Sequence, residues 1–173
     1  GLPPAVTAMT GVDAMVHAIE AYTSRHKKNL LSDNLAVQAL QLLARNIRTA
    51  VREGGNRQAR ENMLLGACLA GQAFANAPVA AVHALAYPLG GHYHIAHGLS
   101  NSLVLPSVLV FNAPEASALY AGLADVVIGA PVAGSAEAKT AALIAALRQL
   151  IADVSLPATL QQAGVKQSDL EML

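Results

Sequence analysis

Histidines are the residues of this chain whose type and placement indicate chemistry. Four of the six histidines lie between residues 82 and 97, in a chain that is 54% hydrophobic and only 13% charged. An imidazole ring is a common metal ligand and can exchange a proton near neutral pH. The clustering therefore indicates a functional site rather than a solubilising surface.

A second group of ligating side chains lies close to the N-terminus. Asp13 and His17 are four residues apart, so they would share one face of a helix, about one turn apart. Their neighbours are apolar, and the Asp13 carboxylate would be costly to bury unless it is paired. The spacing lets two ligands converge on one ion. An Asp–His hydrogen bond, or an Asp near a helix start, explains it as well.

The later histidines flank a bend in the chain. His83 lies in an apolar stretch predicted to be helical, and His97 follows a segment at residues 88–91 that is rich in proline and glycine. Such a bend can bring the two histidines together on neighbouring elements, and together with the Asp/His pair this favours a metal site. His92 and His94 form an H-x-H pair in the same segment and offer an alternative site.

The elements that must position these residues are predicted to be helices. Alanine and leucine dominate the apolar residues, aromatic residues make up 3% of the chain and tryptophan is absent, a balance that favours close-packed helices. The predicted helices cover residues 5–23, 32–53, 57–77, 79–86, 97–113, 114–127 and 135–154, with short helical turns after residues 156 and 168. We expect the third to be central and buried, and Pro106 to kink or interrupt the fifth.

Charge and composition exclude several functions. Eleven basic residues balance eleven acidic ones, with no basic stripe of the kind that nucleic acid requires. No apolar run reaches the length of a membrane span, and no Gly-rich loop of the nucleotide-binding kind is present. The single cysteine, Cys68, fits a reducing compartment and is predicted to be a small core residue. We therefore expect a cytoplasmic protein that binds neither nucleic acid nor membrane.

Two segments together resemble the signatures of the iron-containing (group III) alcohol dehydrogenases. Residues 10–22 (TGVDAMVHAIEAY) are similar to the first signature, and residues 83–98 (HALAYPLGGHYHIAHG) with the following LSN and LP are similar to the second. They occur in the order of the family and at about its separation, and the similarity extends over nearly the whole chain. The resemblance implies a set of metal ligands at Asp13, His17, His83 and His97. It also favours His92 and His94 as pocket-wall or surface residues.

The resemblance also implies a two-domain enzyme. An N-terminal α/β domain would bind NAD or NADP, and a C-terminal all-α, multi-helix domain would hold Fe²⁺ or Zn²⁺. Residues 1–173 are expected to be that helical metal-binding domain, with the nucleotide domain and a C-terminal tail lying outside this chain. The metal would polarise an alcohol or carbonyl oxygen for hydride transfer to or from NAD(P). A small alcohol or aldehyde is the expected substrate, and a homodimer or higher homo-oligomer the expected state of the full-length enzyme.

The chain departs from the family pattern near the predicted site. Tyr87 stands where many members have a histidine, so we expect no histidine proton relay there, and the Tyr87 hydroxyl becomes the candidate hydrogen-bond donor in catalysis. Phe74 matches an aromatic residue that often lines the substrate pocket, and core packing explains it equally well.

Several related functions remain open at this stage. Glycerol or 1,3-propanediol dehydrogenases and maleylacetate reductases share the fold. Dehydroquinate synthases do too, but they place Glu at the first ligand position, where this chain has Asp13. A different alternative is a non-catalytic helical domain that binds metal structurally or mediates oligomerisation. A closed metal site would favour that alternative, whereas an open coordination position facing a cleft would favour catalysis.

Overall fold

Six α-helices make up the computed structural model, which describes residues 1–78 and 80–170. The helices are α1 (Pro4–Tyr22), α2 (Leu30–Arg52), α3 (Arg57–Asn76), α4 (Ala81–Tyr93), α5 (His97–Ile128) and α6 (Ala136–Asp153), followed by a 3₁₀ turn at Gln167–Asp169. The described residues contain no strand. The predicted all-α class is therefore confirmed.

Helix α1 packs against α2, α3 and α5. Small side chains allow the neighbouring helices to approach closely: Ala8, Ala18 and Ala21 are fully buried. A Cβ atom added to Gly11 would lie 2.7 Å from the terminal methyl carbon of Met63. The alanine-rich composition thus serves close helix packing, and it holds the predicted Asp/His face of α1 firmly in place.

The helix caps match the sequence in part. Ser135 caps α6 as predicted, because its hydroxyl accepts a hydrogen bond from the backbone N–H of Ala138 at 3.3 Å. The predicted start of α2 at residues 32–34 is wrong, since the side chain of Asn29 caps the helix by accepting from the N–H of Ser32 at 2.9 Å. The helix therefore begins at Leu30, two residues before the predicted start.

The chain reverses later than predicted. Helix α4 continues through Pro88 and two glycines, and the bend falls at His94, which adopts the left-handed conformation (φ 54°) and donates its N–H to the Gly90 carbonyl at 3.1 Å. The two helices predicted between residues 97 and 127 are one helix, which contains both Pro106 and Pro114. The predicted start of α4 at Val79 lies outside the described residues.

Tertiary packing explains why these prolines do not end their helices. Proline removes one helical hydrogen bond, but Leu89 in α4 and Leu105 and Leu109 in α5 are at most 2% exposed. Burial of such side chains contributes about 1.5–3 kcal/mol each, which offsets a lost hydrogen bond. In the C-terminal segment, residues 159–164 form turns rather than the predicted turn of helix, and the predicted last helix is a 3₁₀ turn as far as the structure describes it.

The prediction that α3 is buried on all sides is wrong. One face packs against α1 and α2, but Leu64 is 74% exposed, Leu65 is 52% exposed and Cys68 is exposed as well. Apolar residues occupy both faces of this helix, so its sequence cannot indicate which face other elements cover. The prediction of Cys68 as a core residue fails for the same reason.

Helix α5 has the length and apolarity of a membrane-spanning helix, with a mean hydropathy of 1.3 over its most apolar window. A long core helix meets the same criteria, so this finding alone is weak. Ser100, Asn101 and Ser102 are almost completely buried against the rest of the domain, and such polar side chains favour a core helix over a lipid-facing one.

Candidate metal centre

One face of α1 carries three ionisable side chains in a row. Asp13, His17 and Glu20 are spaced at i, i+4 and i+7, which aligns them along a helix. Asp13 and His17 are partly buried, and Glu20 is only 4% exposed. The structure therefore adds a third group to the pair predicted from the sequence.

The first turn of α4 is attached to this face through Glu20. Its carboxylate accepts hydrogen bonds from the backbone N–H groups of Ala80 at 2.9 Å and Val82 at 2.7 Å, and its Oε2 lies 2.6 Å from Nδ1 of His83. Helix α4 has no side-chain cap of its own, so a residue of α1 satisfies its N-terminal donors. His83, which is 2% exposed, is thus held against α1.

The four ligands predicted from the sequence converge at one point. Nε2 of His17 lies 3.1 Å from Nε2 of His83, and Oδ1 of Asp13 lies 3.7 Å from Nε2 of His97 and 4.0 Å from Nε2 of His83. All four ligand atoms lie within 4.8 Å of one another. Ligands about 2.1 Å from a tetrahedral zinc ion would be roughly 3.4 Å apart, so the donor set fits a divalent ion.

The other histidines do not join this cluster. His26, His92 and His94 are exposed, and none belongs to a group of three or more metal-ligating side chains within the described residues. The H-x-H alternative is therefore not supported by the fold, as we expected for this pair.

A buried asparagine of α5 lies among the ligand atoms. Nδ2 of Asn101 donates to Oδ1 of Asp13 at 2.5 Å and lies 3.2 Å from Nε2 of His83 and 3.1 Å from Nε2 of His97. Its own Oδ1 is buried and has no hydrogen-bond partner among the described residues. Asn101 was not predicted from the sequence, although its position one helical turn after His97 was a usable signal.

Electrostatics favour the neutral, ligating form of His17. Burial lowers its pKa from the usual 6.5, and the positive charges that His83 and His97 carry when protonated act in the same direction. The carboxylates of Asp13 and Glu20 oppose this shift but do not cancel it. A neutral imidazole keeps the lone pair that a metal requires.

The cluster is buried on one side and open on the other. The side chain of His83 is 3% exposed, whereas that of His97 is 47% exposed. Tyr87 lies at the open side, where its ring stacks on His97 with centroids 6.1 Å apart. Phe74 packs against the core and lies 4.8 Å, between ring centroids, from His17, a position compatible with either predicted role.

A cavity of about 1310 Å³ between α4, α5 and the C-terminal segment contains none of the four ligands. The cavity lies on the opposite face of α4, where Ala81, Ala84 and Leu85 line it. This cavity is therefore separate from the open side of the cluster at His97.

The fold and the site together define an all-helical domain in which three imidazoles and one carboxylate converge. The sequence model described as "Fe-containing alcohol dehydrogenase family, C-terminal" matches residues 7–173. The chain is 44% identical over 172 residues to long-chain-alcohol dehydrogenase 1 of Geobacillus thermodenitrificans, which covers 99% of this chain and 43% of that protein. It is 43% identical over 170 residues to 1,3-propanediol dehydrogenase of Klebsiella pneumoniae, covering 98% and 43%.

Solved structures agree with the sequence comparison. The crystal structure of a 1,3-propanediol oxidoreductase superposes with a TM-score of 0.94 at 42% identity, covering 98% of this chain and 44% of that one. The chain belongs to the Fe-containing alcohol dehydrogenase family and corresponds to the C-terminal part of its members. It spans about two fifths of the length of the curated relatives it matches. The family predicted from the two signatures is confirmed.

Proposed function

We propose that Asp13, His17, His83 and His97 bind one divalent metal ion, Fe²⁺ or Zn²⁺, in an NAD(P)-dependent alcohol dehydrogenase. The convergence of four ligand atoms within 4.8 Å carries the proposal. Three imidazoles and one carboxylate suit borderline ions such as iron(II) and zinc(II). When bound, such an ion supplies Lewis acidity toward an alcohol or carbonyl oxygen.

The uneven burial of the ligands favours catalysis over a purely structural site. His83 is fixed in the interior, while the side chain of His97 is 47% exposed, so a small molecule can approach from that side. A structural site is normally closed by its four ligands. Asp13, His17 and His83 would fix the position of the ion, and an alcohol or aldehyde would bind on the exposed side beside His97.

Tyr87 is the proposed hydrogen-bond donor at this edge. It lies one turn after His83 on α4, is 60% exposed and stacks on His97. A phenol is a donor as well as an acceptor, so its hydroxyl would orient a substrate oxygen beside the cluster.

The remainder of the enzyme is proposed from the relatives. Because this chain spans about two fifths of their length, we assign NAD or NADP binding to an N-terminal α/β domain and expect a C-terminal tail as well. The 173-residue chain alone should then show no NAD-dependent oxidation of simple alcohols. Detectable turnover by this chain would contradict the assignment of NAD or NADP binding to a separate domain.

The substrate, assembly and location are proposals of the same kind. The relatives are named for long-chain alcohols and for 1,3-propanediol, so we propose a small alcohol or aldehyde, to be identified with a substrate panel on the full-length enzyme. Exposed Leu64 and Leu65 on α3 support a homodimer or higher homo-oligomer, which light scattering would detect. We propose a cytoplasmic location.

Metal analysis of the purified chain tests the ligand assignment. Wild type loaded with Fe²⁺ under anaerobic conditions, or with Zn²⁺, should retain one ion per chain, and His83→Ala should lose it. His92→Ala is the matched control, because His92 lies on the same helix but is exposed and outside the cluster. Equal metal content in His83→Ala and wild type would refute the assignment.

A further inference from the structure

We propose that Glu20 is a positioning residue for this centre, an inference that rests on the proposed metal-binding function. Its carboxylate holds the far nitrogen of the His83 ring and at the same time caps the helix that carries His83. Glu20 therefore sets both the orientation of the imidazole and the place of α4 relative to α1.

The burial of Glu20 shows that its contacts are specific. The residue is 4% exposed and His83 is 2% exposed, so water cannot replace the hydrogen bonds between them. A buried carboxylate is retained only where several donors satisfy it. Here three donors do so, the backbone N–H groups of Ala80 and Val82 and Nδ1 of His83, at distances from 2.6 to 2.9 Å.

The contact with Nδ1 determines which tautomer His83 adopts. An ionised carboxylate only accepts hydrogen bonds, so Nδ1 of His83 is the donor to Glu20. In the neutral imidazole, Nε2 is then the nitrogen that keeps its lone pair. That Nε2 atom is the one that faces Nε2 of His17 at 3.1 Å. Partners on the far nitrogen of a ligating histidine fix ring orientation and raise its basicity.

The contact with α4 gives Glu20 a second effect on the same centre. Asp13 and His17 lie on the helix that carries Glu20, and His83 lies in the first turn of the helix that Glu20 caps. One carboxylate thus links the two helices that supply three of the four ligands. Loss of the carboxylate should therefore weaken metal binding more than an ordinary destabilising substitution elsewhere in the domain does.

Three variants of the 173-residue chain separate positioning from simple structural support. Glu20→Gln keeps the size but replaces one acceptor oxygen with an NH₂ donor, which faces groups that also donate. Glu20→Asp keeps the charge and shortens the reach by one methylene. Glu61→Gln is the matched control, because Glu61 makes an exposed ion pair with Arg57 on α3.

The first measurement is the His83 tautomer, read by long-range ¹H–¹⁵N NMR of labelled chain with no metal added. At a pH at which the His83 imidazole is neutral, wild type and Glu61→Gln should show a protonated Nδ1 and an unprotonated Nε2. Glu20→Gln should lose this single tautomer. An unchanged tautomer in Glu20→Gln would overturn the inference, whether or not the chain binds metal.

The second measurement is Co²⁺ affinity, followed by the visible absorption of the bound ion in competition with a chelator. Glu20→Gln should bind Co²⁺ on the order of 10- to 100-fold more weakly, as expected for partners of metal ligands, and Glu20→Asp should be intermediate. Leu147→Ala, a buried substitution on α6, should lower the melting temperature without changing Co²⁺ affinity. A Glu20→Gln variant that behaves like Leu147→Ala would overturn the positioning role.

Two further outcomes are distinguishable. If wild type binds no Co²⁺, the proposed metal function fails, while the NMR experiment still decides the role of Glu20. If Glu20→Gln does not fold, Glu20→Asp decides: weaker Co²⁺ binding by a folded chain supports positioning, and wild-type affinity with a wild-type tautomer refutes it.

Discussion

The backbones of α5 and α1 approach each other closely at Gly98, the residue that follows the proposed ligand His97. A Cβ atom on Gly98 would lie 2.4 Å from the carbonyl oxygen of Met9 and 2.8 Å from its carbonyl carbon. Real Cβ contacts essentially never fall below 3.0 Å, so Gly98→Ala must move the helices apart by at least 3.0 − 2.4 = 0.6 Å. The added Cβ atom meets backbone atoms of Met9, so no change of side-chain rotamer can relieve the clash.

This displacement would act on a pair of proposed ligands. His97 directly precedes Gly98, and Asp13 lies one helical turn after Met9, with its Cβ 3.3 Å from the added atom. Metal–ligand distances tolerate changes of about 0.2 Å, which is roughly a third of the required shift. We therefore expect metal affinity to fall on the order of 10- to 100-fold, with overpacking costing about 1–3 kcal/mol of stability.

Zn²⁺ competition titration and thermal unfolding would measure the two effects. Gly122→Ala is the matched control, because it places the same methyl group on α5 against α1 but meets only the Tyr22 hydroxyl, 2.9 Å away at the end of a movable side chain. Gly91→Ala, with nothing within 4 Å of its Cβ, controls for the effect of alanine itself. Wild-type Zn²⁺ affinity in Gly98→Ala would refute the reasoning.

Three further predictions concern other parts of the molecule. Hydrogen bonds from Gln149 and Arg48 hold the pKa of Asp153 below its ordinary 3.8. Asp153→Asn should therefore lower the melting temperature near neutral pH, and this difference should disappear as the pH falls through the lowered pKa. A difference in melting temperature that does not depend on pH would contradict this prediction. Leu147→Ala should destabilise the chain by about 2–5 kcal/mol in urea unfolding, and a loss below about 1 kcal/mol would show that α6 is not tightly packed. Tyr87→Phe in the full-length enzyme should reduce kcat/KM about two- to tenfold, the equivalent of one hydrogen bond, with unchanged metal content; wild-type kcat/KM would exclude the proposed donor.

The family signatures, rather than helical spacing alone, predicted the four proposed ligands. Asp13 and His17 are related by one helical turn, which sequence spacing alone reveals, and two signatures selected His83 and His97 over the neighbouring H-x-H pair. The geometry agrees, since these four side chains converge within 4.8 Å. Their role as metal ligands remains a proposal that metal analysis must test.

Features that depend on contacts between distant segments were not predictable. Pro88 signalled the end of a helix that tertiary packing carries on to Tyr93. Glu20 lies 63 residues from the histidine that it contacts, so no local pattern links the two. Exposure of Leu64 likewise depends on which elements surround α3, and the composition of that helix does not contain this information.

The proposed ligands come from three different helices, which gives metal binding a consequence for folding. Asp13 and His97 are 97 − 13 = 84 residues apart, so one ion would close a long loop of the unfolded chain as well as a gap between helices. Because the unfolded chain lacks the assembled site, binding free energy adds to folding stability, by about 2.7 kcal/mol at a free ion concentration 100 times the Kd. Occupancy of the centre and resistance to unfolding or proteolysis would then rise and fall together with the supply of free metal.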